Sequence, residues 1–154
     1  MICRNIFFLV GAGILFSSCD SAKYFEEYQK LPNHNWKSRQ KLIFDVETKD
    51  PTQLYNLFVG VRNTESFKYS NLYLFMDVKS PSGKLVRDTI ECILADKEGR
   101  WYGSHSGDIV DNKIWFKSDY RFEEAGNYQF GFEQAMRDEV LQEITDFGLR
   151  IEIK

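Results

Sequence analysis

The sequence is poor in residues that cross-link a chain, bind metals or span a membrane. Its 154 residues include three cysteines and two histidines, too few for a disulfide framework or a known zinc-ligand spacing. It has no basic block and a formal net charge of −3, which argues against nucleic-acid binding. The longest apolar run, from Ile6 to Phe16, has eleven residues, whereas a membrane-spanning helix needs about 20. We therefore expect no transmembrane helix and a domain held by hydrophobic burial.

What the N-terminus does contain is the pattern of a lipoprotein signal. Arg4 precedes the apolar run, and Leu15-Phe16-Ser17-Ser18-Cys19 follows as a processing site. A basic start, an apolar centre and small residues before the cut are typical of a secretory signal peptide. We predict cleavage after Ser18, which leaves Cys19 as the lipidated N-terminus, carrying acyl chains such as palmitate. The alternative is a plain secretory signal with a chance cysteine.

Processing at Cys19 has consequences for the rest of the chain. Arg4 is the one charged residue among the first 18, so the mature chain has 19 basic and 23 acidic side chains, a formal net charge of −4. Attraction to anionic lipid is therefore not expected, and several acyl chains would hold the protein on a membrane. Cys92 then has no cysteine partner, and its place in an alternating run predicts a small buried core residue.

Alternation of apolar and polar residues predicts strands along most of the mature chain. The clearest signals lie in 42–47, 55–62, 72–78, 85–94, 113–117, 128–132 and 147–153. Ser80-Pro81-Ser82-Gly83 has turn chemistry, so residues 71–94 predict a hairpin. We expect a long loop over 95–112 and one short helical turn over 139–145. No stretch has a helical stripe over three turns.

These signals predict an all-β protein, a single antiparallel β-sandwich of about seven or eight strands, immunoglobulin-like or jelly-roll-like. The expected organisation is a signal peptide over 1–18, a lipidated N-terminus and tether with a short first strand over 19–40, and the sandwich over 41–154. Near Tyr128, the sequence resembles the approach to a late immunoglobulin strand, in which a tyrosine hydroxyl ties the loop.

Catalytic and metal-binding groups are sparse. His105 lies close to Asp108 in a glycine-flanked loop, which suggests a hydrolase, but adjacent loop residues do not generally meet in triad geometry. The loop acids, from Asp96 to Asp111, have calcium-type oxygens without a calcium-loop spacing. Solvated turn residues are the plainer interpretation. We therefore expect no enzyme activity, cofactor or metal.

Aromatic residues flank the same loop. Trp101 and Tyr102 suggest a platform for a protein or a sugar, since exposed aromatics give a large contact area. The alternative is that Trp101, and still more Trp115 within its strand pattern, close the open end of the sandwich. The candidate partner surface therefore comprises Asp96, Arg100, Trp101, Tyr102 and Asp108.

Several segments together resemble one family, the gliding-motility-associated lipoprotein GldH of Bacteroidetes-type bacteria. The most specific are Leu94-Ala95-Asp96 through Gly99-Arg100-Trp101, Gly107-Asp108-Ile109, Glu133-Gln134-Ala135-Met136-Arg137 and Gly148-Leu149-Arg150-Ile151-Glu152. The chain departs from the glycine-rich family pattern at Ser104-His105-Ser106. Of the family's functional residues, Cys19 alone carries over.

The resemblance implies a non-enzymatic, lipid-anchored envelope protein. It would serve the gliding motility and type IX secretion machinery by contacting other envelope proteins of that complex. Because the residues next to Cys19 lack an acidic cluster of the kind that directs export to the cell surface, we expect it to face the periplasm. The alternative is a carbohydrate- or ligand-binding lipoprotein that uses the aromatic loop around Trp101.

Overall fold

A computed structural model describes residues 20–154 of the protein. The predicted signal peptide and Cys19 lie outside the described residues. Eleven strands and one 3-10 turn, Pro32–His34, make up the fold. The strands are β1 (Lys23–Lys30), β2 (Asn35–Lys37), β3 (Leu42–Thr48), β4 (Tyr55–Thr64), β5 (Asn71–Lys79), β6 (Leu85–Ile93), β7 (Ser104–Ser106), β8 (Ile109–Tyr120), β9 (Gly126–Gln134), β10 (Val140–Gln142) and β11 (Ile144–Ile153). Within 20–154, no helix has the length and hydrophobicity needed to cross a bilayer.

The strands form two stacked antiparallel sheets and a small added pair. Sheet A has the order β1-β11-β4-β8-β7, sheet B is the pair β2–β10, and sheet C has the order β3-β9-β5-β6. Eight strands have seven or more residues. Counted along the chain, the first of these pairs with the eighth (β1–β11), the second with the seventh (β3–β9), the third with the sixth (β4–β8) and the fourth with the fifth (β5–β6). This nested pairing, rolled into two sheets, is the jelly-roll arrangement. The predicted all-β antiparallel sandwich is confirmed, and its topology is jelly-roll rather than immunoglobulin-like.

Three segments differ from the sequence-based expectation. The expected helical turn over 139–145 is strand β10 followed by the start of β11, because Leu141 pairs with Trp36 of β2. The expected loop over 95–112 contains β7 and the beginning of β8, paired as a hairpin around Gly107. The strand expected over 113–117 is the centre of a twelve-residue strand. Strand pairing outweighs the local sequence signal in the first two cases, with the distant Trp36 in one and across the Gly107 turn in the other.

The segment over 19–40, expected to hold a tether and a short first strand, contributes more to the sandwich than that strand. Strand β1 pairs with β11 along its length, and Leu31 and Trp36 are buried in the core. The indole nitrogen of Trp36 donates a hydrogen bond to the carbonyl of Gln40 at 3.0 Å. The folded body therefore begins at Lys23.

Aromatic side chains fill the space between the sheets. Phe147 of sheet A lies at the centre, with its ring 4.9 Å from Trp36 and 5.0 Å from Phe132, measured between centroids. Phe44 of sheet C packs on both phenylalanines. Cys92 is buried, as predicted, and burial raises the pKa of its thiol to about 12. Hydrophobic packing across this seam joins the two sheets.

Near one end of the sandwich, the Tyr128 hydroxyl makes the predicted hydrogen bond to the neighbouring loop. Its hydroxyl accepts a hydrogen bond from the backbone N–H of Glu124 at 3.1 Å. Its ring packs against Phe122, which is fully buried. The turn into β9 is thereby held close to the core.

A charged cluster on the outer face of sheet C fixes β6 to its neighbours. The guanidinium of Arg87 donates to both oxygens of Asp77, at 2.6 and 2.8 Å. Lys41 donates to the same carboxylate at 2.6 Å and lies 3.1 Å from Glu133. The Arg87 hydrogen bonds, with those of Lys41, lower the pKa of Asp77 to about 2 although partial burial opposes the shift.

Truncating the central aromatic ring should destabilise the fold strongly. We expect Phe147→Ala to lower the free energy of unfolding by about 3–5 kcal/mol, because it leaves a cavity where three aromatic rings meet. Urea denaturation measures this change. Tyr102→Ala, at a residue that is 67% exposed, is the control and should change it by less than about 0.5 kcal/mol. Equal effects of the two variants would contradict this packing.

The Asp77 cluster predicts an acid-dependent loss of stability. Because the pKa of Asp77 is lower in the folded state than in the unfolded state, its contribution is present above pH 4. It is then lost as the pH falls towards 2. We expect Asp77→Asn to be less stable at pH 6 and to show about 1–2 kcal/mol less loss between pH 5 and 2. Urea titrations across this range test it; an unchanged acid slope in the variant would contradict it.

Candidate functional site

The two long sides of the sandwich are built differently. Where β1 lies over β3, side chains join the two edges: the Tyr24 hydroxyl donates to the carbonyl of Glu47 at 2.8 Å. The Gln29 amide similarly donates to the carbonyl of Ile43 at 2.6 Å. On the opposite side, β8 and β6 separate and leave a cleft of about 500 Å³. We refer to this as the β6–β8 cleft.

The β6–β8 cleft has an apolar floor. Both sheets contribute to it, and most of its residues are buried or partly buried: Leu57, Met76, Val78, Ile90, Phe116, Tyr120 and Tyr128. Its volume is within the range of small-molecule and peptide sites, which are mainly apolar with a few polar groups. Burial raises the pKa of the Tyr120 hydroxyl to about 12, so this group is a neutral hydrogen-bonding group at the floor.

Charged side chains of both signs surround the opening. They are Lys84, Asp88, Lys117, Arg121 and Glu123. Lys84 and Glu123 form an ion pair at 3.0 Å across one end. Because the charges are mixed, the rim does not favour a strongly acidic or strongly basic ligand. An apolar surface with a mixed polar rim is typical of a protein contact.

The residues of β6 explain why the cleft is open. The alternating run from Val86 to Leu94 predicts one inward face, but only Ile90, Cys92 and Leu94 are buried. Val86 is 51% exposed and lines the β6–β8 cleft. Apolar periodicity therefore identified the face correctly, while the missing cover could be seen only in the folded chain.

Trp115 occupies a different position from the one expected. The sequence pattern favours a role in closing the sandwich, but its side chain is 60% exposed at the edge of the β6–β8 cleft. Trp115 pairs with Phe58, and the β4–β8 register shifts between Leu57 and Phe58. The preceding pair, Ile114 with Val59, faces the core, so strand alternation directs the Trp115 indole outward. There its N–H donates to the carbonyl of Lys117 at 3.0 Å.

The aromatic loop proposed from sequence forms a compact turn. Asp96 accepts backbone hydrogen bonds from Glu98 and Arg100, at 3.0 and 2.8 Å, and pairs with the Arg100 side chain at 2.7 Å. Hydrogen bonds from the Arg100 and Glu98 backbone and from the Arg100 side chain lower the pKa of Asp96. Trp101 bridges to Ala95 and packs half-buried on the core, whereas Tyr102 is 67% exposed.

Asp108 and His105 lie on the neighbouring β7–β8 hairpin. The Asp108 backbone carbonyl accepts a hydrogen bond from the N–H of Glu65 at 3.1 Å. His105 Nδ1 is 3.1 Å from the Glu65 carboxylate. Among residues 20–154, no hydrogen bond joins Asp108 to the Asp96–Arg100 turn. The five predicted surface residues thus belong to two separate turns. In the same range, no three acidic, histidine or cysteine side chains form a group able to hold a metal ion.

Comparison with known proteins identifies relatives along almost the whole chain. The family model of the GldH lipoprotein matches residues 23–151. A gliding motility lipoprotein GldH homolog from Christiangramia forsetii is 36% identical over 155 residues, covering 96% of this chain and 94% of the relative. The gliding motility lipoprotein GldH of Flavobacterium johnsoniae is 35% identical over 158 residues, covering 98% of each chain.

Proposed function

The chain belongs to the GldH lipoprotein family, and we propose that it is a non-enzymatic component of the gliding motility and type IX secretion machinery. In this proposal lipidated Cys19 holds the protein in the envelope membrane, facing the periplasm, and the sandwich binds other envelope proteins. The observation that carries the binding role is the β6–β8 cleft, which has an apolar floor and exposed Val86 and Trp115 along its lining. Exposed apolar surface of this kind commonly marks a contact site.

The names of the relatives support the motility part of the proposal. Both are called gliding motility lipoproteins, and their similarity to this chain extends over nearly all of both sequences. The lipobox ending at Cys19 supports the anchor. In this proposal the signal peptide is removed after Ser18 and acyl chains are attached to Cys19.

A non-enzymatic role agrees with the contacts of the groups that suggested catalysis. His105 lies against Glu65 on an exposed hairpin, and the Asp108 carbonyl is used to hold the same loop. Catalysis by such groups would need a nucleophile and a base fixed by further contacts. The contacts of His105 and Asp108 instead join the β7–β8 hairpin to the loop that contains Glu65.

Between the two candidate contact surfaces, the cleft has the stronger physical case. The sugar-binding alternative needs a free aromatic face in the loop, and Trp101 uses its ring to pack on the core. Trp115 is both exposed and adjacent to a large apolar floor. Tryptophan next to apolar surface is a common binding anchor. We therefore place the partner surface at the β6–β8 cleft.

The anchor is tested by exchanging one atom. In the full-length chain, Cys19→Ser removes the sulfur to which lipid would be attached, and we expect the protein to move from the membrane fraction to the soluble fraction. Fractionation with immunoblotting, together with metabolic labelling by an acyl analogue, measures this. Cys92→Ser is the matched control and should stay with the membrane. Retention of the Cys19→Ser protein in the membrane would contradict the proposed anchor.

The partner surface is tested by recovery of bound proteins. We expect Trp115→Ala to reduce envelope proteins captured with the detergent-solubilised, full-length chain by about tenfold or more. Truncating a tryptophan anchor commonly costs about 2 kcal/mol or more of binding free energy. Quantitative mass spectrometry after cross-linking in cells measures the recovery.

The aromatic loop supplies the control for this experiment. Tyr102→Ala removes a side chain of similar exposure and should leave the captured proteins unchanged. Loss with Tyr102→Ala but not with Trp115→Ala would move the surface to the loop. Capture of no envelope protein by the unaltered chain would overturn the binding role.

A further inference from the structure

Strand β6 has an unpaired outer edge as well as an exposed face. Among residues 20–154 it is the last strand of sheet C and pairs with β5 alone. Its two ends carry large apolar side chains in solvent: Leu85 is 63% exposed and Ile93 is 50% exposed. A nine-residue edge strand with apolar ends is a template for pairing with another strand.

The backbone hydrogen bonds show which residues of β6 are free to pair. The carbonyl of Lys84 accepts from Ser80, and the N–H of Leu94 donates to Ser70, so even-numbered residues bond towards β5. Backbone groups of successive residues point to opposite sides of a strand. Odd-numbered residues from Leu85 to Ile93 therefore direct their N–H and C=O groups outward. Consistent with this, the N–H of Thr89 is bonded to the side chain of Asp88 and not to β5.

The outward-facing residues of β6 are complementary to themselves in the antiparallel direction. With a two-fold axis at Thr89, Leu85 lies opposite Ile93 of a second copy, and Arg87 lies opposite Glu91 of that copy. Thr89 faces its own equivalent. Apolar residues meet apolar residues, and opposite charges meet on one face of the sheet, which is the favourable combination for cross-strand neighbours.

Neighbouring registers lose this match. An axis at Arg87, Asp88 or Glu91 sets like charges directly opposite each other. An axis at Ile90 puts Arg87 opposite Ile93 of the second copy. Since like charges opposite each other destabilise strand pairs, charge and hydrophobicity together select the Thr89 register.

We propose that the protein forms a symmetric dimer in which β6 of one copy pairs antiparallel with β6 of a second copy about Thr89, joining two four-stranded sheets into one of eight strands. The pairing satisfies the outward backbone groups and shields the apolar ends of β6. Asp88 covers the central N–H in the single copy, and its side chain turns aside when the Thr89 carbonyl of the second copy takes that N–H. This dimer does not depend on the proposed motility role.

The symmetry of this dimer is compatible with a shared membrane. Two antiparallel edge strands in one continuous sheet are related by an axis perpendicular to that sheet. Rotation about this axis keeps sheet A of both copies on the same side. Strand β1 belongs to sheet A, and the described residues begin just before this strand. Both chain starts therefore lie in the same layer and can reach one bilayer parallel to the sheets.

A cysteine on the axis tests the register directly. In the full-length chain, Thr89→Cys would place two thiols on facing residues whose Cα atoms are about 5.5 Å apart in a hydrogen-bonded pair, within disulfide range. We expect a disulfide-linked dimer on a non-reducing gel after mild oxidation of membranes. Arg87→Cys is the matched control, because its two copies would be about 13 Å apart along the strands. Adding Glu91→Cys to Arg87→Cys should restore cross-linking.

Reversing a charge on β6 tests the same register independently. In the Thr89→Cys chain, Glu91→Lys sets like charges at both symmetric positions and should lower the dimer yield about tenfold. Glu98→Lys changes charge equally on a loop outside β6 and should not alter the yield. Circular dichroism checks that each variant is folded.

The proposal is overturned if Thr89→Cys gives no more dimer than the unaltered chain. It is also overturned if Thr89→Cys and Arg87→Cys cross-link equally, since that reports collision without register. A disulfide between Thr89→Cys and a different protein would assign this edge to another partner. Because this readout needs no motility partner, its failure is distinct from failure of the proposed function.

Discussion

The structure depends on the burial of an aromatic seam between two sheets. Phe147 of sheet A contacts Trp36 and Phe132, and Phe44 completes the group. Cys92 is the one cysteine among the described residues and is reduced, so no covalent bond joins the layers. Hydrophobic burial must therefore hold the strands against the conformational entropy of the chain. The jelly-roll pairing brings strands distant in sequence to this seam.

The same pairing leaves the two sides of the sandwich unequal. One side is joined by hydrogen bonds from Tyr24 and Gln29 to strand β3. The other side opens between β6 and β8, where Trp115 and Val86 are exposed. An edge strand facing solvent is normally protected by charges, and Arg87, Asp88 and Glu91 provide them here. Those charges also give β6 its self-complementary pattern, so protection and selective pairing use the same residues.

This arrangement relates the fold to a role in a membrane-bound assembly. A rigid sandwich that begins at Lys23 leaves few residues between Cys19 and the first strand. An anchor at that cysteine would hold the body close to the bilayer and limit its orientations. Binding through a preformed cleft and edge strand then requires little reorganisation, which favours association between proteins already confined to one membrane.

The sequence by itself determined the fold class, the β5–β6 hairpin, the buried Cys92 and the family, because alternation and turn residues are local signals. It also marked the five residues of the aromatic loop, and their role in binding stays a prediction. It did not locate β10 or β7. Strand β10 exists through pairing with the distant Trp36, and β7, with the sequence Ser104-His105-Ser106, has no apolar alternation to mark it. Nor could alternation show that Val86 and Trp115 face an open cleft, because a strand's inner face looks the same in sequence whether or not another sheet covers it. Only the tertiary structure decided which apolar residues are covered, since cover depends on which strands the chain brings opposite them.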